Sequence, residues 1–598
     1  MGSGPSGASS NTAFDAPTSG DPPASFPNLA PAGSKQPTER MMQKALPRPV
    51  ERYLFLIAVL LNALPVLVSK YFPSMDGAAH LYNSRLIHEL LFGQDDPLRL
   101  FYSFTAIPVP NWLGHFILTA ALTILPAFLA EKMVVVAYVA GLPYAFRQLI
   151  RTISPRNVEY SFLILPFCYS YLFTLGFYNF SLALVLMLLT LAFWIRTDAT
   201  PHTARTLGFL ALLLTLLYFA HIFVFGLTLG MLGLHVVIHS VPGGTWQEGA
   251  WTRDMLRSMR PKLGRLACAS AIPLILAFIY SRSMPSAPYY TFISRHELLE
   301  WLYTLRPIIS YNMGLEGVYT QRIFQALVLL SIMSLFIFPA MGYFRRNGPN
   351  AVNATVINRR SALFWATSCL LLLLLYLLMP DGNGLAGYMS VRLGLLLFLF
   401  AIAALSLKRT PKWFTWAVIL LVLYSNFELD RYYVSVVRDQ NKVAMNCELA
   451  CSHIPSGSIV FPIDRSGNWL GSHYSNYLGI NKPLVILENY EAGTGYFPLR
   501  WNNARLPDLR LGRLHVADLI HGPWTRNDSR PERNVDHVFV LGDHRGFVND
   551  VGNDVVKETL EHYTLIYANE DCAVYGPIGP SAADPARPDG EQNVVVPE

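Results

Sequence analysis

A succession of apolar runs constrains this chain more than anything else in it. They lie at 53–69, 112–129, 132–147, 160–176, 178–195, 206–221, 222–238, 264–281, 322–343, 361–379, 390–407 and 412–429. Their length, about 17–22 residues, is what an α-helix needs to cross a hydrocarbon core of roughly 30 Å. Composition agrees: 52% of the 598 residues are hydrophobic and 14% are charged, where soluble domains carry roughly 25% charged residues. This is the pattern of a polytopic membrane protein. The net charge of +6 is small for the length and gives no case for nucleic acid. Where the charges fall matters more than their sum.

Basic residues mark cytoplasmic loops. Lys35, Arg40, Lys44, Arg48 and Arg52 precede the first run and place the N-terminus inside. Arg196 and Arg205, the group Arg253 to Arg265, the group Arg345 to Arg360, and Lys408, Arg409 and Lys412 mark four later loops. Alternation between them places everything after about residue 430 outside. One region resists. Arg147, Arg151 and Arg156 belong in the cytoplasm, yet full crossings at both 112–129 and 132–147 would put them outside. The run 112–129 follows Pro110-Asn111, opens on the interfacial Trp112, and carries His115 and a mid-run Pro126. It is expected to lie in or dip into the outer interface without crossing. About eleven transmembrane helices remain, an odd number that suits an inside N-terminus and an outside C-terminus. Residues 70–131 become a long first external loop with interfacial helices.

Residues 1–48 are rich in Gly, Ser, Pro and Ala and are expected to be a disordered cytoplasmic tail, since they bury too little surface to offset ordering entropy. From about Arg431 the composition turns to that of a soluble domain. Ser458–Ile463, Leu484–Leu487, His537–Leu541, Thr564–Tyr567 and Cys572–Tyr575 read as strands, and Val555–Tyr563 as a helix between two of them. The expected fold is thus a mostly α polytopic membrane protein with a transmembrane module at 49–430, an extracytoplasmic α/β domain at 431–580 and a disordered tail at 581–598. The segment Glu488–Trp501 is dense in aromatic and polar residues, which suits either sugar stacking or packing against the membrane module. Cys447 and Cys451 fall where a disulfide persists, although a spacing of four on a helix is poor for a bridge.

Polar chemistry at the membrane edge begins in Pro73–Ile87, PSMDGAAHLYNSRLI. Asp76 and His80 stand four apart and share one face of a helix, and Asn83 and Ser84 extend that face. Asp76 reads equally as a helix cap and as a base, since Asp is a favoured cap. The turn Leu175–Asn179 adds Tyr178 and Asn179. His221 ends one apolar run, where an interfacial histidine bonded to a carbonyl is the plainer expectation. Arg295 and Arg306 fall in the external segment 282–320. Arg392 sits just inside an apolar run, where a cation is costly unless paired, so Asp381 or a lipid phosphate is its expected partner.

This layout resembles the GT-C superfamily of polytopic glycosyltransferases. The resemblance covers roughly residues 50–430 as architecture and rests, at motif level, on Asp76 and its surroundings. It implies a hexosyl- or pentosyltransferase of the cytoplasmic (inner) membrane of a bacterium. Such an enzyme moves a sugar from a polyprenyl-phosphate donor to an envelope glycan, lipid or protein acceptor on the outer face. Carried over, the family's acidic residue falls on Asp76 as catalytic base; by their own chemistry at the membrane edge, His80, Tyr178, Asn179, His221, Arg295, Arg306 and Arg392 are the candidates to bind donor phosphate or substrate. In the family such an acid also helps hold a divalent cation, Mg or Mn, a role that falls to Asp76, with His80 a candidate to stand in as second ligand. The sequence departs from the family's paired acids: Gly77 follows Asp76, and the second turn offers no carboxylate. Two other classes stay open, a transporter or flippase for a lipid-linked glycan and a non-catalytic scaffold of envelope polysaccharide assembly. Few charges within the crossings and no evident inverted repeat weigh against the transporter.

Overall fold

The computed structural model describes residues 47–93, 96–198, 203–241, 250–284, 288–341, 352–384, 386–502, 510–511, 514–515 and 535–578. The two expected tails lie outside the described residues, apart from residues 47 and 48. Helix Arg48–Asn62 (α1) comes first, followed in the first loop by Gly77–Phe92 (α2) and Leu113–Leu122 (α3). The helices Ala127–Ile153 (α4), Tyr178–Thr197 (α5), Ala204–Ala220 (α6), Ile222–Ser240 (α7) and Ala250–Ser283 (α8) follow. After the short helix Arg295–Tyr303 (α9) come Met313–Ile332 (α10), Val352–Leu378 (α11), Met389–Ser406 (α12) and Lys412–Ala450 (α13). Among the described residues seven helices are long and apolar enough to cross a membrane, lying in α4, α5, α7, α8, α10 with its continuation, α11 and α12.

The region where the charges conflicted resolves through contacts. Glu131, near the start of α4, accepts the N–H of Phe72 at 3.1 Å, while Arg147, near its end, makes a two-pronged pair with Glu51 of α1 at 2.6 and 2.7 Å. Helix α4 therefore starts beside the end of the first run and finishes beside its start. The chain between them leaves and returns at the same end. Helix α3 fits this, because ten residues span only about 15 Å. Pro126 separates α3 from α4.

One expected helix is absent. The run 160–176 forms a 3₁₀ segment at Val158–Cys168, with Pro166 inside it, and a single α-turn at Tyr171–Thr174. Val158 apart, the 3₁₀ residues are buried, so neighbouring helices rather than lipid surround this segment.

Helix α13 runs unbroken for 39 residues, well past the apolar run 412–429, and carries the chain into the C-terminal sheet. Strand Tyr102–Phe104 (β1) belongs to the first loop; Ile459–Arg465 (β2), Val485–Ile486 (β3) and Leu499–Trp501 (β4) follow α13. Arg510–Leu511 (β5) pairs with Leu514–His515 (β6). His537–Gly542 (β7), Tyr563–Ala568 (β8) and Cys572–Pro577 (β9) complete the set, with helix Asp554–His562 (α14) before β8. The main sheet has the order β3-β2-β7-β9-β8; β3, β2 and β7 are parallel, and β9 and β8 run antiparallel. All five strands of this sheet and α14 coincide within a few residues with the expected ones.

The sheet domain is stitched to the first loop. β1 pairs antiparallel with β4, Tyr102 opposite Trp501, and those two rings stack at 4.5 Å. The Tyr82 hydroxyl donates to the Leu484 carbonyl at 2.7 Å. Asn83 and Asn489 exchange amide hydrogen bonds at 2.9 Å. The side-chain bonds of Tyr82, Asn83 and Asn489 are buried, where a broken one leaves an unsolvated polar group.

Candidate functional site

Asp76 precedes α2 but does not cap it. A capping residue normally stands in an extended conformation that swings its oxygen over the first free N–H groups. Asp76 is already helical, φ −91° and ψ −7°, and makes no side-chain capping bond. Its carboxyl is 6% exposed and released from that structural duty. The backbone is held instead: the Asp76 N–H donates to the Leu175 carbonyl at 3.1 Å. Gly176 lies against it at φ +86°, where a Cβ would come within 2.8 Å of the Asp76 and Gly77 nitrogens. Only glycine fits there.

Two histidines converge on one carboxylate. His80 of α2 places Nε2 at 3.0 Å from the Gly176 carbonyl and Nδ1 at 2.5 Å from Glu491 Oε1. His115 of α3 places Nδ1 at 3.2 Å from the Asn111 carbonyl and Nε2 at 2.7 Å from Glu491 Oε2. A carbonyl only accepts, so each ring carries a proton on the nitrogen facing it. The nitrogen facing Glu491 then has two states. With a second proton, the rings are imidazoliums clamping a carboxylate; without it, two lone pairs and a carboxylate point at one spot. Burial works to raise the Glu491 carboxyl, but His115 and His80 outweigh it and hold it at about 2. Burial works to lower His80, and Glu491 then Asp76 outweigh it, raising the ring above its usual range.

Asp76 faces a third histidine. Its Oδ1 lies 3.6 Å from His473 Nε2. His473 stacks on Tyr490 at 4.5 Å and bonds through Nδ1 to Glu488. Glu488 is itself fixed by the Ser475 hydroxyl at 2.6 Å and the Asn476 amide at 2.7 Å. Burial works against charging His473, but Glu488 and Asp76 raise it to about 9. Burial raises Asp76, with His473 and His80 opposing.

The cations pack on aromatic rings in and beside the turn that holds Asp76. Arg392 lies 5.0 Å from the ring centres of both Phe177 and Phe180. It donates to His221 Nε2 at 2.7 Å and to the Gly387 carbonyl at 3.3 Å. Because arginine only donates, His221 Nε2 is unprotonated and the ring neutral. His221 thus serves Arg392 rather than a carbonyl. Asp381 is not the hydrogen-bond partner of Arg392; its carboxylate accepts the Ser390 N–H at 2.9 Å. Among the described residues no carboxylate forms an ion pair with Arg392. Arg306 lies 4.0 Å over Tyr171 and donates to its near neighbour, the Ile309 carbonyl.

The remaining candidates have other places. The Tyr178 hydroxyl pairs with Ser74 at 2.9 Å. Asn179 accepts the Gly114 N–H at 2.7 Å and donates to the Asn111 carbonyl at 3.0 Å, which anchors the start of α3. Arg295 opens the exposed end of α9 and bonds to none of the other candidates among the described residues. His115, His473, Glu488 and Glu491 were outside the expected set. The sequence presents His115 only as part of an interfacial run, and Glu488 and Glu491 as part of an aromatic segment.

His80, His115 and Glu491 could also hold a cation. Their donor atoms lie within 4.8 Å of one another, and all three are buried. The carbonyls on the far nitrogens are the contacts that fix the tautomer of metal-binding imidazoles. Two imidazoles and a carboxylate suit zinc or a similar transition ion better than magnesium, which prefers oxygen ligands in an octahedron. Asp76 is not among these three, so the group differs from the expected Asp76 and His80 pair.

No protein-family model matches the chain, and no curated protein matches it by sequence. Solved structures do match. ArnT from Cupriavidus metallidurans in the apo state is 11% identical with a TM-score of 0.36, over 88% of this chain and 99% of that one. The same protein bound to undecaprenyl phosphate is 10% identical, also at 0.36, over 88% and 99%. The Archaeoglobus fulgidus oligosaccharyltransferase in complex with Zn and sulfate is 12% identical at 0.40, over 88% of this chain and 73% of that one. At such scores no residue's role is carried over from them.

Proposed function

We propose that this protein is a membrane glycosyltransferase. It takes a sugar from a polyprenyl-phosphate donor and gives it to a glycan, lipid or protein acceptor on the outer face of a bacterial cytoplasmic membrane. One observation carries this reading. The short stretch Leu175–Phe180 has Asp76 bonded to its first residue and Arg392 on the rings of Phe177 and Phe180. A buried carboxyl free of capping duty and a buried guanidinium with no ion-paired carboxylate among the described residues thus pack against one short stretch. Transfer from a phospho-sugar needs both, a base for the acceptor hydroxyl and a cation for the departing phosphate.

The step follows from those positions. Asp76 takes the proton of the acceptor hydroxyl, and the acceptor oxygen attacks the anomeric carbon. The bond from that carbon to the phosphate oxygen breaks, and the electron pair leaves with the polyprenyl phosphate. Arg392 receives that anion through its planar fork, with Arg306 over Tyr171 in the same neighbourhood. His473 faces Asp76 as an imidazolium, which opposes the burial that raises this carboxyl. A divalent cation held by His80, His115 and Glu491 would supply further positive charge for the phosphate.

Two measurements test this. Purified protein in lipid vesicles, given undecaprenyl-phosphate hexoses and pentoses and an envelope fraction as acceptor, is expected to transfer sugar. Asp76→Asn should lower that rate by about 10²–10⁴-fold while the protein inserts and melts as the wild type does. Undiminished transfer by Asp76→Asn would remove the base. Elemental analysis of the purified protein should find a zinc-class ion that Glu491→Gln loses; its absence from both leaves the protonated clamp.

A further inference from the structure

Cys447 and Cys572 are 125 positions apart in the chain yet meet at the junction of α13 with β9, and neither has solvent exposure. Their flanking residues are tied together. The Asn446 amide donates to Asp571 at 2.7 Å, and the Asn569 amide donates to the Asn446 carbonyl at 3.1 Å. Cys572 Sγ itself lies 3.5 Å from that same carbonyl oxygen, which belongs to the peptide group joining Asn446 to Cys447. The Cys572 sulfur thus lies against the Cys447 backbone, and its proximity together with burial pushes the Cys447 thiol well up. Cys451, the neighbour in sequence, belongs elsewhere: Lys482 bonds to its carbonyl at 2.9 Å, on the side of the helix end.

We propose that Cys447 and Cys572 form a disulfide in the mature protein, a cross-link that locks the long helix α13 to the central part of the sheet. The inference rests on the placement of this domain outside the cytoplasm, where disulfides persist. The oxidant is a protein disulfide of the thiol oxidoreductase class. The thiolate of one cysteine attacks a sulfur of that disulfide, forming a mixed disulfide and releasing one donor thiol. The thiolate of the other cysteine attacks the mixed disulfide, so that the intramolecular S–S bond forms and the donor leaves as a dithiol. Two protons and two electrons pass to the donor. Burial of both sulfurs means that this occurs during folding, before the domain closes.

The site has a structural purpose. Helix α13 is 39 residues long, and its last turns bear the sheet whose connecting segments, after β2 and after β3, carry His473, Glu488 and Glu491. A covalent tie between Cys447 and β9 fixes the sheet's orientation on that helix, and with it the distance of those residues from Asp76.

The test counts thiols. Protein extracted from cell membranes is denatured in N-ethylmaleimide, then reduced and labelled with iodoacetamide, and its peptides are analysed by mass spectrometry. Cys168, Cys268, Cys369 and Cys451 should carry maleimide, and Cys447 and Cys572 should carry only the second label. Maleimide on all six cysteines overturns the proposal. A second arm says why: reduced, purified protein refolded in a glutathione redox buffer either links Cys447 to Cys572 or does not. Failure to link there means that the geometry is wrong; linking there but not in cells means that the domain faces a reducing compartment, which also undoes the outer placement. Cys451→Ser should leave the labelling of the pair unchanged, and loss of the protected Cys447 and Cys572 labelling in that variant would count against it.

Discussion

Replacing Glu491 with Gln separates the clamp from the rest of the docking surface. The substitution keeps shape and volume and removes one negative charge. In the wild type, that carboxylate takes bonds of 2.5 and 2.7 Å from His80 and His115 with no solvent exposure of its own. A hydrogen bond to a charged group contributes about 1.5–3 kcal/mol, and removing one partner of a buried pair costs about 3–5 kcal/mol because the other charge is left uncompensated. The two figures describe the same loss and are not added. About 3–5 kcal/mol is the expected destabilisation, enough to lower the apparent melting temperature by several degrees. The amide exchange between Asn83 and Asn489 and the pairing of β1 with β4 remain, so the domain stays attached and the protein inserts. Intrinsic fluorescence during heating in detergent, with and without a chelator, reads the effect. If a cation holds the three ligands, chelation lowers the wild-type melting temperature and leaves Glu491→Gln unmoved; if protons hold them, chelation changes neither. A variant that melts within about 1 °C of the wild type would refute the clamp in both forms.

His473, raised to about 9 from an unfolded value near 6.5, adds stability that is complete below about pH 6.5 and fades as pH rises through 9, up to roughly 3 kcal/mol over that window. Wild-type melting should therefore fall between pH 6.5 and 9 by more than that of His473→Gln, and parallel curves would show that His473 does not carry this slope. Arg392→Ala should weaken binding of undecaprenyl phosphate, measured by native mass spectrometry, at least about tenfold, since a charge-assisted bond to phosphate is lost. Arg392→Lys should not restore it, because an ammonium cannot present the planar fork between Phe177 and Phe180; full recovery with Lys would remove the fork from the argument.

Elements with a local cause were legible in the sequence. The helical spacing of Asp76 and His80 points to a helix there, and α2 begins at Gly77; the expectation that α3 does not cross rests on Pro126 and the conflict of Arg147 with the alternation, and the Arg147 pair with Glu51 agrees with it. The strands of the C-terminal sheet stood out because short apolar runs bounded by turn residues have few other uses. The run 160–176 misled for the same reason that it was conspicuous. An apolar stretch of that length suits lipid and protein interior equally, and here other helices bury it, so apolarity alone could not set its conformation.

The site was half legible, and the division follows sequence distance. Asp76 and His80 are four residues apart and announce themselves through helical spacing. His115 and Glu491 are separated by 376 positions, and His80 and Glu491 by 411, so no periodicity links them. A local signal did exist. Glu488 and Glu491 stand in a segment otherwise full of aromatic and amide side chains, and a segment of that kind packs rather than faces water. A carboxylate taken into packing needs cationic or donor partners. Histidines embedded in apolar surroundings, themselves polar groups in need of a partner, were the complementary half: His80 beside the first run and His115 inside the next. Reading unmatched acids of one domain against unmatched imidazoles of another, rather than each within its own window, leads to the clamp; it also leads to His473, whose partner Glu488 lies three residues before Glu491.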